Sequence, residues 1–123
     1  MRFVRCGELL RELKAAKSQD DGQTRYDKLF KMYSEIHYLI IDDLDWGTDA
    51  DIRMLDDLIC TREANHLMLL VTTNRSLSDI EEALPRVLSR FRDKRFARLI
   101  YNRAGDYRKR GAKVKGEPGR DEQ

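Results

Sequence analysis

Residues 37–45, HYLIIDDLD, decide how this chain is read. Four apolar residues, Tyr38, Leu39, Ile40 and Ile41, run directly into the adjacent carboxylates Asp42 and Asp43. A short continuous apolar run of this kind reads as a strand buried on both faces of a parallel sheet. In such sheets ligands bind beyond the carboxyl ends of the strands, which is where the acid pair emerges. One carboxylate there suits a hydrated divalent cation, and its neighbour suits polarisation of an attacking water. The plainer reading is a strand followed by a solvated acidic turn. Taken alone, the run does not choose between them.

Downstream, Trp46-Gly47 makes a turn and Thr48 caps a helix over about residues 49–63, with Ile52, Leu55, Leu58 and Ile59 as its apolar stripe. Leu67–Thr72 is a second continuous apolar run, hence a second central strand, and it ends in Thr72-Thr73-Asn74. Ser78 and Glu81 form a capping box over a short helix, and Pro85 opens another that carries Arg86, Ser89 and Arg90. Phe96–Tyr101 alternates as an edge strand, with Arg98 facing out.

Upstream, Phe3–Cys6 reads as an edge strand ended by Gly7, and Glu8–Lys17 as a helix with Leu9, Leu10, Leu13 and Ala16 on one stripe. After a polar loop at 18–22, Thr24 opens a second helix with Asp27 capping in return. Tyr26, Leu29, Phe30 and Tyr33 follow helical spacing and read as core contacts. Strands alternating with helices predict a parallel α/β sheet whose middle is covered on both faces. Residues 1–110 read as one domain portion and 111–123 as a disordered tail.

With 37% charged and 41% hydrophobic residues among 123, the chain is globular, and no apolar run approaches the ~20 residues of a membrane span. Cys6 and Cys60 lack metal-ligand spacing, and a reduced cytoplasmic setting is the expectation. The net charge of +2 hides an asymmetry: residues 41–57 hold seven Asp against Arg53 alone, and residues 84–115 hold twelve Lys or Arg against Asp93 and Asp106. The first patch suits a cation, the second phosphates, though each is also what a solvated face looks like.

Four features fall at spacings that one phosphate site could use. The acid pair is the first. Asn74 ends the next strand, where an uncharged amide can bind both a phosphoryl oxygen and a water; it is equally an ordinary turn former. Arg86 and Arg90 share one helical face and could reach a phosphoryl group of a neighbouring subunit, or pair locally with Glu82 or Asp93. Arg108, in GDYRKR, follows the last strand and could touch a phosphate or belong to a basic tail.

In this order, LIIDDLD, VTTN, RVLSRF and GDYR resemble the second half of a AAA+ ATPase of the DnaC/IstB type, the bacterial helicase loaders and transposition helpers. Intervals of 32, 16 and 18 residues separate Asp42, Asn74, Arg90 and Arg108, and FVRCGELLRELK is similar to the family's second strand and following helix. The resemblance spans roughly residues 2–110. It implies a three-layer parallel sheet of the P-loop NTPase type, with ATP and Mg2+ as cofactors. By the same resemblance Asp42 is the magnesium ligand, Asp43 activates water, and Asn74 senses the γ-phosphate. Arg90 is then the finger acting in trans, Arg86 the alternative finger, and Arg108 the second sensor. It further implies a homo-oligomer that engages single-stranded DNA and either a replicative helicase or a transposase.

One departure is large: no GxxxxGK[ST] loop occurs anywhere in the 123 residues. The expectation is therefore an incomplete fold, with the first strand and its phosphate loop missing and the gap falling between the strand ending at Asn74 and the last one. The flanking strand edges should then be unpaired, and the chain alone should be inactive. A degenerate module that binds DNA or a partner is the alternative. A phosphoacceptor receiver domain fits poorly, because its acid pair belongs at the first strand and no later strand ends in Thr/Ser followed by Lys.

Overall fold

Strands and helices alternate along the computed structural model, which describes residues 1–18, 20–92 and 97–101. In chain order they are β1 (Arg2–Arg5), α1 (Cys6–Lys17), α2 (Gly22–Glu35), β2 (Tyr38–Leu44), α3 (Asp49–Ala64), β3 (Met68–Thr73), α4 (Leu77–Ala83), α5 (Pro85–Phe91) and β4 (Ala97–Tyr101). The strands form one parallel sheet in the order β1-β2-β3-β4. Phe3, Ile40, Leu70 and Arg98 lie side by side across it. The fold is therefore α/β, as the alternation of elements implies. Among the described residues no helix is long and apolar enough to cross a membrane.

Each strand is added to the same side of its predecessor, and right-handed crossovers then leave the connecting helices on one face. The helix contacts agree: α1 packs on α2, α2 on α3, and α3 on α5, while α1, α3 and α5 rest on the strands. The core lies between these two layers. Val4, Leu39, Ile41, Leu69, Val71 and Ala97 face the helices and are buried against residues such as Leu9, Tyr33, Leu55, Leu58 and Val87. The alternate residues point the other way and stay half-buried or exposed. The described residues thus form two layers, and the expected third layer is not among them.

A second expectation is corrected here. β4 pairs directly with β3 over Leu69–Thr73, so no gap separates them. Backbone N–H and C=O groups on an open edge need partners, and the last strand supplies them to β3.

Several boundaries also move. α1 starts at Cys6, so Gly7 lies in its first turn and does not end the strand. α2 starts at Gly22, which leaves Thr24 and Asp27 inside the helix; Asp27 accepts instead from Gln23 Nε2 at 2.8 Å. The cause is a close approach: a Cβ at Gly22 would sit 2.1 Å from the Lys17 carbonyl oxygen. Only glycine permits the chain to double back there. α4 is capped by Ser76, whose Oγ accepts from the Asp79 N–H at 3.1 Å, and not by Ser78 with Glu81. The Thr48 cap holds, with Asp51 completing its capping box, and Pro85 opens α5.

Two buried charges join the layers. Asp51 accepts from the Gly47 and Thr48 N–H groups at 2.9 and 3.2 Å and pairs with Lys14 of α1 at 2.5 Å. Burial pushes its carboxyl upward, but Lys14 and the two amides outweigh that and hold it below the usual range. Arg62 is fully buried and makes no ion pair with a carboxylate among the described residues. Its guanidinium donates to the carbonyls of Tyr33 (2.7 Å), Met68 (2.6 Å) and His37 (3.4 Å), and burial draws its pKa down to about 10.

Candidate functional site

The acid pair stands at the carboxyl end of β2, where the regular ladder with β3 breaks between Ile41 and Leu44. At the break Asp43 takes a positive φ of 63°. This left-handed conformation is tolerated by Asp better than by most residues, and such backbone geometry clusters at functional sites. It is held from the neighbouring strand: the Asp43 N–H donates to Thr72 Oγ1 at 2.8 Å. The same hydroxyl donates to Asp42 Oδ1 at 2.6 Å. One threonine therefore fixes both members of the pair.

Asn74, just past β3, donates its side-chain N–H to Asp43 Oδ1 at 3.1 Å. Parallel pairing of β2 with β3 thus brings together Asp42, Asp43 and Asn74, which lie about thirty positions apart in sequence. The Asn74 amide retains an oxygen and a second N–H for a third partner, and a carboxylate beside an amide can orient a water between them.

An arginine that sequence reasoning passed over closes the site from the side. Arg75 donates Nε to Asp45 Oδ1 at 2.6 Å and Nη2 to the Trp46 carbonyl at 3.1 Å, and its guanidinium lies 4.4 Å from the Trp46 ring centroid. It also lies 3.6 Å from Asp79. Its backbone N–H donates to Thr73 Oγ1, whose hydroxyl donates to the Leu44 carbonyl at 2.9 Å. The loop after β2 is thereby clamped to the loop after β3. Beneath it, Cys6 Sγ donates to the Asp45 carbonyl at 3.3 Å, and burial pushes that thiol up to about 11, so it is a packing group and not a nucleophile.

The arginines of α5 are engaged elsewhere. Arg86 pairs with Asp56, and Arg90 Nε lies 3.3 Å from Glu63 Oε1, both acids on α3. Glu82, one of the partners expected from sequence, makes no ion pair with either among the described residues, and Asp93, the other, lies outside those residues. Neither arginine makes a bond or ion pair with the acid pair among the described residues, and Arg108 lies outside those residues. A groove of about 410 Å3 between α2 and α3, walled by Tyr26 and Phe30, includes none of the predicted site residues.

For a divalent cation the described residues offer Asp42 but no cluster of three or more His, Cys, Asp or Glu side chains that could hold one. That donor set fits magnesium bound mainly through water and phosphate oxygens. For a triphosphate the fit is half complete. The water-orienting carboxylate and amide are present, while a glycine-rich backbone cradle with its lysine is not encoded. Neither family models nor curated proteins nor solved structures yield a match to this chain.

Proposed function

We propose that this chain is the C-terminal portion of a DnaC/IstB-like AAA+ ATPase, working in an oligomer with ATP, Mg2+ and single-stranded DNA to help load a replicative helicase. The Asn74–Asp43 hydrogen bond across adjacent parallel strands carries the reading. It supports Asp43 as the residue that orients the attacking water and Asn74 as its phosphate-reading partner. Asp42, held by Thr72, would be the protein ligand of magnesium, which when bound supplies charge neutralisation on the phosphates. Arg90, or else Arg86, would act on a neighbouring subunit's nucleotide after leaving its α3 carboxylate. Arg108 is proposed as a further phosphate contact from the resemblance alone.

The phosphate cradle must come from another segment. In the family layout its strand stands between β3 and β4, so the present β3–β4 pairing would have to open to admit it. That pairing, with the missing loop, favours a second reading: a non-catalytic module whose basic residues 84–115 contact DNA or a partner. Service with a transposase in place of a helicase involves the same site.

Isothermal titration and turnover separate these readings. The unaided chain should show no micromolar site for magnesium-ATP, since the groups that supply most of the affinity are absent. Placed behind a strand–GxxxxGKT–helix segment, it should hydrolyse ATP, and Asp43→Asn should cut turnover by at least about a hundredfold. In that form Arg90→Ala should spare binding and lose turnover, and mixing it with Asp43→Asn subunits should restore part of it. A micromolar site in the unaided chain, or turnover indifferent to Asp43, would overturn the ATPase reading. For the basic region, affinity for a fluorescent single strand should fall steeply with salt; a salt-independent affinity would remove the DNA contact.

A further inference from the structure

The face of the sheet opposite the helices is apolar and uncovered by any described residue. Phe3, Tyr38 and Ile100 are 59, 53 and 48% exposed, Met68 is 37% exposed, and Ile40 and Leu70 lie half-buried between them. The strand registers make this one continuous surface: Phe3 beside Ile40 beside Leu70, Tyr38 beside Met68, and Ile100 beside Thr72. Parallel sheets are stable with both faces covered, and contiguous exposed apolar patches mark sites of association. Four strands about 4.8 Å apart are roughly 15–19 Å across, room for one or two helices about 10 Å wide.

The charges on this face say what kind of partner fits. Arg5 on β1 and Arg98 on β4 are exposed at its two edges, and neither makes an ion pair among the described residues. Asp42 is the carboxylate among the strand residues of this face; it stands beside Arg5 in register and accepts from Thr72. An apolar centre is thus flanked by unpaired cations on both edges. A second copy of the chain laid face to face would set four such arginines against only the two Asp42 carboxylates among the strand residues of this face. We propose that this face binds an amphipathic α-helix of a partner chain, its apolar stripe on the strands and its flanks acidic. The proposal does not rest on the ATPase reading.

The test uses the full 123-residue chain and three labelled helical peptides of equal length. One has a leucine stripe with glutamate flanks, one the same stripe with lysine flanks, and one the glutamate flanks with the stripe changed to serine. Fluorescence anisotropy at low salt should show the glutamate-flanked peptide binding at least tenfold tighter than the lysine-flanked one, and the serine peptide not at all. The preference should shrink in high salt. An Arg5→Glu/Arg98→Glu double variant should invert it, and Ile100→Asp should weaken both leucine peptides at least tenfold. Circular dichroism verifies folding; if the double variant unfolds, Arg98→Gln alone should reduce the preference severalfold. No saturable binding, equal affinity for the two leucine peptides, or a preference untouched by charge reversal overturns the proposal. So does sedimentation showing a dimer that Ile100→Asp dissolves, because the occupant is then a second copy.

Discussion

Each end of the sheet is pinned by an arginine, and the two arginines hold in different ways. At the amino end Arg62 is sealed from water and answers three carbonyl oxygens, from the last turn of α2, the approach to β2 and the first residue of β3. No carboxylate among the described residues pairs with it, and burial lowers its pKa. At the carboxyl end Arg75 is one-third exposed and answers Asp45, Asp79 and an indole face. The first arrangement is expensive to disturb, because carbonyls buried without donors cost free energy. The second is screened by solvent and cheap to open. The difference separates a buried joint that is costly to break from a solvent-screened one that is cheap to break.

Arg62→Met tests the first half of that contrast and should have the largest effect. It leaves two well-formed carbonyl bonds without a donor, for a loss of about 3 kcal/mol of unfolding free energy in urea. A loss below about 1 kcal/mol would mean that packing alone holds the amino end. Asp51→Asn comes next, at about 1–2 kcal/mol near neutral pH, since it removes the Lys14 pair while leaving the side chain buried. Because the folded carboxyl lies below its unfolded value, its contribution is present above pH ~3.8 and fades as pH falls through the folded value. The variant should therefore lose stability less steeply than the wild type as pH falls below ~3.8. Identical acid limbs in the two proteins would remove Asp51 from the account.

At the carboxyl end, Arg75→Ala should cost under about 1 kcal/mol. It should nonetheless shift the emission of Trp46, the chain's single tryptophan, to longer wavelength as the stacked cation leaves and water enters. Unchanged emission would show that the clamp does not order the loop. Asn74→Ala should be smallest, within about 0.5 kcal/mol. A large destabilisation there would make Asn74 a structural residue and weaken the functional reading of its bond to Asp43.

The apolar runs at Leu39–Ile41 and Leu69–Val71, the Thr48 cap and Pro85 were legible because each depends on chemistry local in sequence. Meeting of Asn74 with Asp43 was legible as well, since it follows from two central strands being parallel neighbours. Arg62 left no trace: an arginine in the last turn of a helix reads as a solvated charge until the fold surrounds it with carbonyls. Thr72 passed for an ordinary strand residue, and Arg75 for part of a turn. The Thr24–Asp27 cap failed because a contact between Gly22 and Lys17 set where α2 begins. Likewise the covered second face was inferred from apolar strands, yet alternation within them supplies only the demand for cover, not the cover itself.

The strand order has a kinetic consequence. Among the described strands each pairs with the one made immediately before it, so none of these four waits for a later one to be inserted beside an earlier pair. During synthesis β1 and β2 can dock as soon as β2 itself has left the ribosome, and β3 then adds to an existing edge. Growth by one crossover at a time between adjacent strands keeps each loop closure more local than in a shuffled parallel sheet, which lowers the entropic barrier. A nascent chain of this design can acquire its hydrogen-bonded ladder in the order in which it is translated.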